Sequence, residues 1–114
     1  YIPSSSYPSG EMKHGPIALL HKDMGVVFFL GSGSLYEKSL SNLAEVQARD
    51  AQTLVFTDNP DYAGEHVVRI PRSQRIVQPL LFSIASQMLA YHIANTLGRE
   101  IDKPKNLAKS VTVE

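Results

Sequence analysis

Three stretches of the sequence hold residue types that could do chemistry. His14 lies between Lys13 and Gly15-Pro16 in "GEMKHGPIALL", with Glu11 close by. A histidine can move a proton near neutral pH, so this stretch is a candidate acid–base element. Taken alone, the same residues are more simply a turn with a solvated histidine. Lys109 sits in "NLAKSV", flanked by small or apolar residues. A lysine in such surroundings can act as a neutral amine and form an imine with a carbonyl. A solvated lysine on a loose terminus is the simpler reading here too. The third stretch, "LGSGSLYE", runs through Gly31 and Gly33 towards a helix start, where free amides could cradle a phosphate. It lacks the third glycine of a dinucleotide fingerprint and the lysine of a P-loop, which favours a flexible, well-capped turn. His21, His66 and His92 have no partners at metal-ligand spacing, so no metal site is expected.

The elements that must position these residues follow from the pattern. The Ser- and Pro-rich start, 1–10, reads as loop. Pro16 biases Gly15 away from the helical region, so residues 11–20 should form two short turns or helices hinged at Gly15-Pro16. "GVVFFL", residues 25–30, is a short apolar run that suits a strand buried on both faces of a parallel sheet. Ser34 and Glu37 have the spacing of a capping box. Leu40, Leu43, Ala44 and Val46 then predict an amphipathic helix from Leu35 to about Arg49. "QTLVFT", residues 52–57, is a second strand, completing a β-α-β unit. His66 to Ile70 is a third. Gln78-Pro79 opens the last helix, with proline where its missing N–H costs nothing. Leu81, Ile84, Ala85, Met88, Leu89, His92 and Ile93 give that helix a wide apolar stripe, and Gly98 is its stop. The fold class is α/β with a small parallel sheet.

Bulk composition narrows the function classes. The 114 residues suffice for one domain, and 11 basic residues balance 11 acidic ones. That balance leaves no electrostatic footprint for nucleic acid or an anionic membrane. No apolar run approaches the length of a membrane-spanning helix. Cysteine is absent, which excludes disulfides, thiolate metal sites and a cysteine nucleophile in this chain. Residue 1 is Tyr1, not methionine, and the chain reads as a portion of a longer protein.

Two stretches together, "GEMKHGPIALL" and "DKPKNLAKSVTVE", resemble the sugar isomerase (SIS) domain that ends the isomerising glutamine–fructose-6-phosphate aminotransferases. That family has a loop of the form Y-x-x-G-E-[LM]-K-H-G-P and a tail of the form D-x-P-[RK]-N-L-A-K-S-V-T-V-E. Tyr7, Gly10, Glu11, Met12, Lys13, His14, Gly15 and Pro16 match the loop. Asp102, Pro104, Lys105 and residues 106–114 match the tail, and residues 88–94, "MLAYHIA", match the helix between. Pro3 to Ser6, "PSSS", departs from the family, where a glutamate is expected in many members.

The resemblance implies a three-layer, parallel-sheet, flavodoxin-like SIS domain, of which this chain is an incomplete part. Residues 1–98 would be the C-terminal portion of the second SIS subdomain, and 99–114 a tail covering the active site. His14 is implied to open the fructose-6-phosphate ring in the active site of the neighbouring subunit. Lys109 is implied to contact the sugar chain and form an imine with the open ketose, with Ala108 lying against the sugar. The implied reaction makes glucosamine-6-phosphate from fructose-6-phosphate, with ammonia from glutamine. The same resemblance implies a cytoplasmic homodimer or higher homo-oligomer that binds sugar phosphate and uses no cofactor, nucleic acid or membrane. The family's carboxylate base and phosphate loop lie upstream of the position matching Tyr1, so the isolated chain is expected to be inactive. Nor does the family bind phosphate at the "GSGS" turn. The competing reading is a non-catalytic, sugar-phosphate-binding SIS module, against which "NLAKSVTVE" argues.

Overall fold

Gly25–Leu30 (β1), Gln52–Thr57 (β2) and Val67–Arg69 (β3) form one parallel sheet in the order β1-β2-β3 in the computed structural model, which describes residues 2–106. Tyr36–Gln47 (α1) connects β1 to β2, and Gln78–Thr96 (α2) follows β3. Two 3-10 helices, Ser9–His14 and Pro16–Leu19, precede the sheet. The expected strands, helices and hinge are therefore all present.

Register determines which side chains share a face. Phe28 pairs with Val55, which pairs with Val67, while Phe29 pairs with Phe56, which pairs with Val68. On the first face Phe28, Leu30, Val55, Leu43 of α1 and Tyr62 form the buried core, with Tyr36, Leu40 and Val67 packed against it. On the second face the Phe29 and Phe56 rings lie 5.3 Å apart, and Phe82 of α2 meets Phe29 edge-on at 6.1 Å. The order is α1, sheet, α2, the three layers expected.

Two expectations need correction. β1 is not buried on both faces, since Val27 is 43% and Phe29 46% exposed while Leu30 is fully covered. An apolar run shows that a strand can be buried twice, but only its neighbours decide whether it is. β2, paired on both sides, does bury Val55, Phe56 and Thr57. The capping box also does not form. Leu35 occupies the cap of α1 with no side-chain hydrogen bond, and the Tyr36 amide donates to the Gly33 carbonyl at 3.0 Å. The helix thus starts one residue later than the Ser34–Glu37 spacing requires.

The helix ends are local. α1 stops where Asp50 takes a left-handed φ of 60°. α2 stops at Gly98, φ 61°, where the Gly98 amide donates to Asn95 O and the Arg99 amide to Ala94 O, at 3.0 and 2.9 Å. That pair of bonds satisfies the last carbonyls of the helix in the Schellman manner, and glycine meets the left-handed angle without a Cβ clash. At the other end, Gln78 ties the linker down. Its Oε1 accepts from the Ser73 amide at 2.7 Å and its Nε2 donates to the Pro71 carbonyl at 3.2 Å.

Candidate functional site

His14 is the last residue of the first 3-10 helix, and its side chain is exposed to solvent. The local sequence explains the placement. The Glu11 amide donates to the Pro8 carbonyl at 2.9 Å, winding the first helix. Gly15 then adopts φ 142°, ψ −56°, a conformation that L side chains rarely take. Pro16 opens the second 3-10 helix, whose Ile17 is buried. The chain therefore turns sharply just after His14, and Gly15-Pro16 is the pair that permits it. Glu11 and Lys13 are exposed on the same short helix.

Lys109 and Ala108 lie outside the described residues. The other histidines have neighbours of their own. The His21 Nδ1 accepts from the Asp23 amide at 3.3 Å, and His66 Nε2 lies 3.8 Å from the Glu65 carboxylate. His92 belongs to the apolar stripe expected on α2. It lines the groove beside α2, yet it remains exposed, with the Tyr91 ring 5.6 Å away. Among the described residues no group of three or more His, Asp or Glu side chains could hold a metal ion.

Sequence reasoning does not find Asp58. This residue follows β2 directly and is buried, only 7% exposed. Its Oδ1 accepts from the Ser32 amide at 2.6 Å and its Oδ2 from the Ser32 hydroxyl at 2.9 Å. The Gly33 amide donates to Gly31 O at 2.9 Å. A carboxylate thus holds the "GSGS" turn from below, where a phosphate cradle would need free amides and no neighbouring negative charge. The turn is structural. The signal that could have found Asp58 is positional: adjacent parallel strands end side by side, so an acid just after β2 faces the turn just after β1.

The crossover from β2 to β3, residues 58–66, contains no helix and is laced by its own polar groups. The Asn59 amide donates to Thr57 Oγ1 at 3.1 Å and the Asp61 amide to Asn59 Oδ1 at 3.0 Å. The Arg69 guanidinium donates to the Asn59 and Tyr62 carbonyls. Beyond it, an open apolar groove of about 490 Å³ runs between the sheet and α2, with Phe56, Val68 and Ile70 on one side and Leu81, Ile84 and Met88 on the other. The apolar stripe expected on α2 is the wall of this groove.

The family model of the SIS domain matches residues 1–97. This chain belongs to the SIS domain family. The SIS chain is 46% identical to a glutamine–fructose-6-phosphate aminotransferase (isomerising) of Acidithiobacillus ferridurans over 118 aligned residues, covering all of this chain and 19% of that protein. Proteins of the same name from Pseudomonas aeruginosa, 48% identical, and Thermus thermophilus, 44% identical, also match all of this chain, with 19% and 20% of their lengths covered. This SIS domain thus spans about a fifth of the length of the relatives it matches. Its fold superposes with a TM-score of 0.77 on the C-terminal domain of glucosamine-fructose-6-phosphate aminotransferase from Francisella tularensis. That pair is 35% identical, and the match covers 85% of this chain and 29% of that one. No helix among the described residues of this SIS domain is long and apolar enough to cross a membrane.

Proposed function

We propose that this SIS domain works in an isomerising glutamine–fructose-6-phosphate aminotransferase, which makes glucosamine-6-phosphate from fructose-6-phosphate with ammonia taken from glutamine. The observation that carries the reading is the match of the whole chain, at 44–48% identity, to relatives bearing that name. A sugar-binding module without catalysis would share the fold but not the catalytic name of these relatives.

In this reading His14 opens the sugar ring. Breaking the C2–O bond of the cyclic ketose requires a proton delivered to the ring oxygen and one removed from the anomeric hydroxyl. An exposed imidazole on a short, sharply turned helix can do either, and can reach the site of a neighbouring subunit in a homodimer or higher homo-oligomer. Lys109 then attacks the exposed C2 carbonyl as a neutral amine, releasing water and forming an imine. Ala108 lies against the sugar, and residues 99–114 cover the site as a tail to the SIS portion at 1–98. On the family resemblance, the carboxylate for proton transfer between C1 and C2 lies upstream of the position matching Tyr1. The enzyme acts in the cytoplasm without a cofactor.

A chimera tests this, with these residues replacing the matching fifth of the Pseudomonas aeruginosa relative. Lys109→Arg should abolish amino-sugar formation, since a guanidinium cannot form the imine, while glutamine hydrolysis survives in part. His14→Asn should impair use of cyclic fructose-6-phosphate more than of a permanently open analogue. Undiminished synthesis by Lys109→Arg, or equal losses on both substrates with His14→Asn, would overturn the corresponding assignment.

A further inference from the structure

We infer that Asn42 of α1 is a positioning residue for His14, acting through Ser9; this rests on the ring-opening role proposed for His14. The first 3-10 helix contains no fully buried residue, and its one large apolar side chain, Met12, is only half-buried, so apolar packing holds it loosely. The Asn42 Nδ2 donates to the Ser9 Oγ at 3.0 Å, across 33 residues of sequence. Among the described residues it is the side-chain hydrogen bond that joins this helix to another element. Asn42 is itself well placed to act as a fixed point. Its neighbour Leu43 is 1% exposed and belongs to the core, and α1 bears Val46, also 1% exposed, one turn further on.

Ser9 and His14 are the two ends of that helix. At about 2.0 Å of rise per residue, the helix is an arm of roughly 10 Å with Asn42 at one end and the imidazole at the other. The other support is Ile17, buried and three residues beyond His14. Between His14 and Ile17 lies Gly15, whose backbone is permissive and does not by itself hold the angle of the arm. The buried isoleucine anchors the segment, and the directional Asn42–Ser9 bond orients it. Without that bond the arm can swing about Gly15 while the fold stays closed, and a catalytic group displaced by about 1 Å can lose up to about a hundredfold in rate.

The test uses the same chimera. Asn42→Ala should lower kcat on cyclic fructose-6-phosphate by about tenfold, with KM changed less than about twofold, because an orientation made for the transition state is lost. The open analogue should be turned over nearly as before. Ser9→Ala, at the far end of the bond, should reproduce both results without touching the α1 core. Asn42→Asp, which can accept from the Ser9 hydroxyl in place of donating to it, should restore most of the rate. Combining Asn42→Ala with His14→Asn should cost no more than His14→Asn alone. Equal losses on both substrates, or a full added loss in the combined variant, would show that Asn42 supports the fold and does not act through His14. If His14→Asn itself fails to distinguish the two substrates, the ring-opening reading falls and this inference falls with it. If it does distinguish them and Asn42→Ala and Ser9→Ala do not, only the positioning role is overturned.

Discussion

The two faces of the sheet are built from similar residues and end up in different states. On the α1 side Leu30, Leu43 and Val55 are at most 1% exposed, and the ring of Phe28 is covered. On the α2 side Phe29 is 46% exposed, Ile84 56% and Met88 49%, and α2 has no buried residue at all. Yet α2 is the longer and more apolar helix, with apolar side chains distributed around its circumference. A helix of that kind suits burial on several sides, whereas α1, with one apolar stripe, finishes its packing against a single face. Apolar content therefore measures how much a helix could bury. How much it does bury depends on what stands opposite.

Substitutions can break this comparison or sharpen it. The largest effect is expected from Leu43→Ala, which empties a closed part of the core and should cost about 2–5 kcal/mol in urea unfolding of the chain. Next comes Asp58→Ala. It strands the Ser32 amide and hydroxyl and should cost about 1–2 kcal/mol, as two half-buried donors lose their partner. The smallest effect belongs to the open face. Met88→Ala removes a side chain already half in water and should shift stability by no more than about 1 kcal/mol. If Met88→Ala costs as much as Leu43→Ala, the α2 face is closed in solution and the asymmetry is lost. If the costs separate in this order, the α1 layer carries more of the cooperative core than the α2 layer, where Phe56 is the well-covered side chain.

The functional stretches show a similar contrast between what residues announce and what contacts decide. In "KHGP" the chemistry and the geometry are local: a proline disfavours helix for the residue before it, and a glycine there can take φ 142°. The hinge is therefore legible in the sequence. The "GSGS" turn looks equally suggestive, and its fate depends on Asp58, 26 residues from Ser32. Nothing in the turn itself announces that carboxylate. Asn42 is the same kind of case, an ordinary polar residue on α1 until its partner at Ser9 is known. Lys109 and Ala108, implied by the tail "NLAKSVTVE", lie outside the described residues, and the roles proposed for them rest on the family resemblance of that tail.

Whatever depends on neighbours along the chain could be read from the residues in order. The strand spans Gly25–Leu30 and Gln52–Thr57, the hinge at Gly15-Pro16 and the stop of α2 at Gly98 all follow from apolar runs and the backbone limits of glycine and proline. The family could also be read from its two motifs. Folding in three dimensions settled the rest: which face of β1 is covered, and that Asp58 closes the turn after β1. Each of these depends on groups brought together by strand register and helix packing from distant parts of the chain. Burial and hydrogen-bond satisfaction are properties of such meetings, so no local pattern contains them.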